Sequence, residues 1–182
     1  MQQIIKRSLV LVLMLAIVAC ASPSPRKPVS VKSSSFMKES IERNRLINQQ
    51  EEEAFQMLME RDSTRVYHNS EHGFWYAYDL ENKTDTIHPK RGDEISYTYE
   101  IKTLNNDVLY TPEELGVRNY LVDKEELIKG LQSGLKLMKK GEIVTFLFPS
   151  HQAYGYAGYK KIGSNQPLIY TVTLQTIKQN NE

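Results

Sequence analysis

Between residues 94 and 101 apolar and polar positions alternate without a break: Ile95, Tyr97, Tyr99 and Ile101 against Glu94, Ser96, Thr98 and Glu100. A period of two puts one set on each side of a pleated chain, so the segment predicts a half-buried β-strand. Residues 143–148 alternate too, but Ile143, Thr145 and Leu147 oppose Val144, Phe146 and Phe148, a strand apolar on both faces and closed by Pro149. Leu168 to Leu174 reads as a last strand, and Gly73-Phe74-Trp75-Tyr76-Ala77-Tyr78 is aromatic and strand-prone. Asn105-Asn106-Asp107 predicts a hairpin turn into Val108-Leu109-Tyr110, and Thr111-Pro112-Glu113-Glu114 a helical turn with proline at its first position.

The period lengthens in two places. From Glu126 to Met138, Leu127, Leu131, Leu135 and Met138 fall at spacings of four, four and three, one apolar face of a short helix, with Ile128 beside it. Gly130 and Gly134 lie inside that helix, each costing about 1 kcal/mol relative to alanine, which implies that another backbone or a sheet passes very close. Lys139-Lys140-Gly141 is expected to end it. Phe36 to Asp62 predicts a second helix capped by Ser35, about 40 Å long. Its apolar positions gather at Met37, Ile41, Leu46 and Ile47 and again at Ala54, Phe55, Leu58 and Met59, with polar Asn48 to Glu53 between. Two short patches fall below a sustained heptad, so either the second half packs on the following domain or the helix is an arm for a partner or a second copy.

The first residues have another character. Lys6 and Arg7 precede an apolar run from Leu9 to Val18 that is too short to span a bilayer, and Ile17-Val18-Ala19-Cys20 resembles a bacterial lipobox. Residues 1–19 are therefore expected to be a lipoprotein signal peptide, with acyl chains such as palmitate carried on Cys20 of the mature protein. Cys20 is the sole cysteine, so none remains for disulfides or thiol catalysis. Residues 20–35, with Pro23, Pro25 and Pro28 among serines and cations, lack the apolar area to order themselves and read as a tether. The absence of acidic residues just after Cys20 favours a domain facing the periplasm. The expected organisation is thus signal peptide 1–19, lipidated tether 20–35, helix 36–64 and a folded domain over 65–179.

A formal net charge of +1 with scattered lysines gives no footprint for nucleic acid. His68-Asn69-Ser70-Glu71-His72 satisfies the H-x-x-E-H spacing of inverted zinc proteases, but that chemistry needs both histidines on one helix face. Asn69, Ser70 and Gly73 argue for a loop feeding a strand, so no metal or other cofactor is expected.

The order of motifs after Arg91-Gly92-Asp93 and Tyr99 resembles the FKBP-type peptidyl-prolyl isomerases: Leu127-Ile128-Lys129-Gly130-Leu131-Gln132-Ser133-Gly134-Leu135, Gly141 to Pro149, Ala153-Tyr154-Gly155, and Asn165-Gln166-Pro167-Leu168-Ile169-Tyr170. The resemblance covers roughly the C-terminal half of the chain. It implies an α+β fold, an antiparallel, strongly twisted sheet wrapped around one short helix, here with an N-terminal helical extension. It also implies a site. Leu131 would be the floor where the family usually has tryptophan, Leu127 and Ile128 a side, and the Ile128 N–H a grip on the substrate carbonyl. Tyr99, Tyr154 and Tyr170 would be catalytic walls, with Tyr110, Tyr159 and Ile162 contacting substrate. The family's aspartate after the first hairpin is missing, since Leu109-Tyr110 or Tyr110-Thr111 stands there.

Rotation about a prolyl bond meets a barrier of about 18–20 kcal/mol but needs no nucleophile, metal or titrating base. A water-poor hollow that disfavours the charge-separated planar amide and fits the twisted form is enough. The expected activity is therefore isomerisation of X-Pro bonds in envelope proteins, with proline-containing clients as partners and a membrane reached through Cys20. The alternative is a catalytically weak FKBP-fold binding or chaperone module of a membrane complex. The lipobox, the helical arm and the missing aspartate together resemble the gliding-motility-associated FKBP lipoproteins, which implies a part in gliding or secretion and a possible envelope-complex partner for the arm.

Overall fold

The computed structural model describes residues 33–180. The expected signal peptide, Cys20 and most of the tether lie outside the described residues. Chain contacts divide the protein into one unit ending at Ser40 and another running from Ile41 to Glu182. Of the first, the opening turns of helix α1 (Ser33–Arg61) are described, with Phe36 and Met37 exposed.

In the second unit the remaining helices are α2 (Pro112–Leu115) and α3 (Lys129–Leu135). Its strands are β1 (His68–Asn69), β2 (Trp75–Leu80), β3 (Glu94–Lys102), β4 (Val108–Tyr110), β5 (Arg118–Leu121), β6 (Ile143–Phe148) and β7 (Leu168–Lys178). They form one sheet in the order β1-β2-β6-β7-β3-β4, with β5 also paired to β3. Every pairing is antiparallel. The α+β class expected from the sequence is the class observed.

Alternation decides what each side of the sheet meets. Ile95, Tyr97 and Ile101 of β3, Val144, Phe146 and Phe148 of β6, and Leu168, Tyr170, Val172 and Leu174 of β7 share one buried cluster with Leu131 and Leu135 of α3. Leu147 and Ile169 point to the other side, where Phe55 is fully buried against them and Leu58, Met59 and Trp75 pack around. The second half of α1 therefore covers the outer face, one of the two roles its pattern allowed. A buried carboxylate fastens it, for Glu51 Oε2 accepts the Ser150 N–H at 2.9 Å.

Helix α3 is shorter than its apolar period suggested, running from Lys129 to Leu135 and not from Glu126 to Met138. Ile128 is its extended N-cap, and the chain turns after Lys136, well before Lys139-Lys140-Gly141. Gly141 instead opens β6 at φ +82°. The close approach inferred at the two glycines is present, but the neighbours are aromatic rings. A β-carbon on Gly130 would stand 2.5 Å from the Phe148 ring, and one on Gly134 would stand 2.9 Å from that of Phe146.

The short strand β5 carries no readable period because only Tyr120 of its four residues is buried. His68 lies in β1 with its ring 5.5 Å from that of Tyr76, and His72 follows in a turn, so the two histidines share no helix face.

Candidate functional site

Strand β3 sets one wall. Tyr97, Tyr99 and Ile101 repeat every second residue and so share the inner face. The Tyr97 and Tyr99 rings stand 5.6 Å apart and tilted by 32°, and Tyr99 stacks on Tyr170 at 5.6 Å with planes 5° apart. Beside them β4 pairs Tyr110 with Ile101. Thr111 then caps α2, accepting the Glu114 N–H at 3.3 Å while Glu114 accepts the Thr111 N–H at 3.1 Å. Thr111, one of the two positions at which the resemblance implies a carboxylate, thus serves as a helix cap, and Tyr110 lines the wall.

The loop after β6 brings the opposite wall. Tyr154 and Tyr159 stack at 5.3 Å with planes 9° apart. The loop is closed by reciprocal bonds, Tyr159 N–H to Ile162 O at 2.9 Å and Ile162 N–H to Tyr159 O at 2.8 Å. Only glycine serves at 158, where φ is +64° and a β-carbon would lie 2.6 Å from the Ile162 carbonyl. The Lys161 N–H donates to the Tyr110 hydroxyl at 3.2 Å, and Lys161 Nζ sits 4.8 Å over that ring, tying the loop to β4.

Between these walls lies a cavity of about 560 Å³. Six of the nine expected site residues line it: Tyr99, Tyr110, Leu127, Ile128, Tyr154 and Tyr159. Leu131, Ile162 and Tyr170 do not. They are at most 3% exposed and belong to the core on which the lining residues pack, so the expected leucine floor is core beneath the walls. Sequence reasoning missed Tyr97, Arg118, Glu126 and Lys160, which also line the hollow. The period placed Tyr97 on the correct face, but nothing marked Arg118, since β5 itself was unreadable.

Burial sets the electrostatics of the tyrosine wall. Burial pushes the Tyr99 hydroxyl above its ordinary pKa, with Tyr154 nearby adding to the rise and the Arg118 guanidinium opposing it. Burial raises Tyr97 and, most of all, Tyr170, to which Tyr154 contributes next. All of these hydroxyls remain neutral donors at physiological pH. Ile128 at the N-cap of α3 has an N–H that donates to no acceptor among the described residues.

A second hollow of about 570 Å³ lies on the outer face, between α1 and the sheet. Its lining includes Arg61, Asp62, Arg65 and Lys102, and its walls are closed partly by the Arg65–Asp62 pair at 2.7 Å. One tyrosine, Tyr67, reaches it, against five in the inner cavity. The aromatic enclosure and free backbone donor make the inner cavity the candidate site.

Residues 85–175, half of the chain, match the family described as FKBP-type peptidyl-prolyl cis-trans isomerase. The chain is 33% identical over 92 residues to peptidyl-prolyl cis-trans isomerase Mip of Coxiella burnetii, covering 50% of this chain and 40% of that protein. It is 29% identical over 86 residues to human peptidyl-prolyl cis-trans isomerase FKBP10, covering 47% of this chain and 15% of that protein. The chain thus spans less than half the length of either relative. Among solved structures, FkpA from Escherichia coli superposes with a TM-score of 0.59 at 19% identity, over 95% of this chain and 82% of that one. A peptidyl-prolyl cis-trans isomerase from Pseudomonas syringae does so with a TM-score of 0.57 at 17% identity, over 70% of this chain and 92% of that one. At such identities the structural likeness speaks for the fold alone.

Proposed function

This chain belongs to the FKBP-type peptidyl-prolyl cis-trans isomerase family, and on that premise we propose that it accelerates rotation about X-Pro bonds of protein chains in the tyrosine-walled cavity. The observation that carries the reading is the cavity itself, about 560 Å³, with four of the expected tyrosines on its walls and, in its lining, Ile128, whose N–H has no acceptor among the described residues. A proline ring is small enough to enter such a hollow. Out of water, the charge-separated planar amide loses stabilisation relative to the twisted form, which is less polar. The Ile128 N–H would hold a substrate carbonyl, while Tyr99, Tyr110, Tyr154 and Tyr159 would fit the rotating ring. Leu131, Tyr170 and Ile162 would act through these walls by fixing where they stand.

The test is exchange of an X-Pro peptide, or refolding of a proline-limited protein, with and without the purified chain. Faster exchange that a macrolide FKBP ligand abolishes supports the reading. Peptide binding with an unchanged exchange rate would replace it with the binding-module alternative.

Tethering through an acylated Cys20, with the domain facing the periplasm, is supported by the charged start, the short apolar run and the lone cysteine. Clients would then be envelope proteins, and the resemblance to gliding-motility-associated FKBP lipoproteins suggests those of gliding or secretion. Intact-mass measurement of the mature protein tests the anchor: acyl chains on an N-terminal Cys20 support it, and cleavage after Ala21 rules it out.

A further inference from the structure

The candidate cavity is not uniformly apolar. Arg118 lines it, and backbone pairing puts it there. Strand β5 runs antiparallel to β3 with Arg118 directly opposite Tyr97, and residues paired in this way project to the same side of a sheet. That side carries the tilted Tyr97–Tyr99 pair.

Arg118 forms no ion pair among the described residues; its guanidinium hydrogen-bonds the Tyr99 hydroxyl, and several acidic groups around β5 are engaged elsewhere. Glu114 is held by Lys161 Nζ at 3.2 Å, and Asp123 by Lys136 Nζ at 3.0 Å. Glu94 meets Lys178 Nζ at 3.2 Å, and the Glu125 carboxylate accepts the Leu121 N–H at 3.2 Å. Within the lining, one carboxylate, Glu126, stands against two cations, Arg118 and Lys160. A guanidinium that makes no ion pair, in a lining where cations outnumber carboxylates, is a recognition group for an anion, and its planar fork suits a carboxylate.

The geometry of a prolyl bond limits where that carboxylate can be. The two flanking Cα atoms are about 3.8 Å apart in trans and about 2.9 Å in cis. With the ring between the tyrosines, so short a spacing would keep the side chain of the preceding residue close to the lining in which Arg118 stands. We propose that Arg118 is a specificity-determining residue that makes this site favour X-Pro bonds in which X is glutamate or aspartate. The proposal rests on the isomerase reading of the cavity. Because Arg118 is exposed and its field is screened, the preference should be modest, about 3- to 5-fold in kcat/KM.

The experiment uses three peptides that differ only in the residue before proline, Glu, Gln or Lys. Cis–trans exchange is followed by NMR with the full chain, so that no coupling protease adds its own selectivity. The expected order is Glu over Gln over Lys. The Glu-to-Gln ratio should fall toward one in about 1 M salt, where the screening length is near 3 Å. It should fall likewise in Arg118→Gln and survive in Arg118→Lys. Equal handling of Glu and Gln by the unaltered protein, or an undiminished ratio in folded Arg118→Gln, overturns the proposal. The salt series reads the same charge effect without any variant. Should no peptide exchange faster, the isomerase reading fails separately. Affinities from the same samples then decide: tighter binding of the Glu peptide keeps Arg118 as an anion selector, and equal binding removes it.

Discussion

Tyr154 sits where two requirements meet. Its ring stacks on Tyr159 to form a cavity wall, and its hydroxyl lies against the deeply buried hydroxyl of Tyr170. Tyr154→Phe keeps the ring and removes one hydrogen-bonding group, worth about 1 kcal/mol. The fold should persist and peptide or macrolide affinity should drop about 5-fold by titration. Unchanged affinity would take Tyr154 out of the site. Gly130 makes the opposite case, a residue with no functional group whose smallness is essential. Gly130→Ala would drive a β-carbon into the fully buried Phe148 ring at 2.5 Å, a clash that costs about 1–3 kcal/mol in urea denaturation. The sequence showed that something must press on Gly130 and Gly134, but a spacing of four cannot say whether the neighbour is backbone or ring. Nor could the alternation in β3 and β7 separate wall from core. Tyr99 and Tyr170 both lie on strands of period two, yet of the pair only Tyr99 borders the cavity, while Tyr170 is buried in the core.

Elements with long, regular periods were legible, and those held by tertiary contacts were not. Strands β3 and β6 announced themselves because both faces of each have defined surroundings. Strand β5 exists through its pairing with β3 and left no pattern of its own. Helix α3 was overextended in the reading because Leu127 and Met138 continue the apolar spacing although the chain around them leaves helical geometry. Helix α1 was legible as a helix, while its docking required the sheet's outer face to be known. That docking is testable. Phe55 is fully buried against Leu147 and Ile169, so Phe55→Ala should lower stability by about 3 kcal/mol. The sole tryptophan reports on the same interface, for Trp75 Nε1 donates to Glu52 of α1 at 3.2 Å. Its emission should shift to the red in the variant. An unchanged denaturation midpoint and unchanged emission would mean that α1 contributes nothing to holding this face.

At the scale of the whole molecule, the dry tyrosines join the site to stability. Burial raises Tyr67 and Tyr78 to about 12 from an ordinary 10.0, and moves Tyr97, Tyr99 and Tyr170 in the same direction. Below pH 10.0 both native and unfolded chains keep these protons, so their contribution is fully present. As pH rises through the window from 10.0 to about 12, the unfolded chain releases protons that the native chain retains, and stability falls. On the acid side, bonds from the Thr64 hydroxyl first, then Arg65 and Tyr67, outweigh the opposing effect of burial and hold Asp62 at about 2, against an ordinary 3.8. Its contribution is present above 3.8 and lost as pH falls through about 2. Among the described residues five tyrosines are displaced upward and three carboxylates downward, Asp62 and the exposed Glu113 and Glu114, so the alkaline flank is the steeper one. Urea midpoints taken across pH, alongside tyrosinate absorbance, should show the midpoint dropping above pH 10.0 while the native spectrum still lacks tyrosinate from the buried rings. A midpoint that stays level across that window would show these hydroxyls ionising as they do in water. The cavity walls would then be wet, and a wet wall gives the twisted prolyl bond no advantage over the planar one.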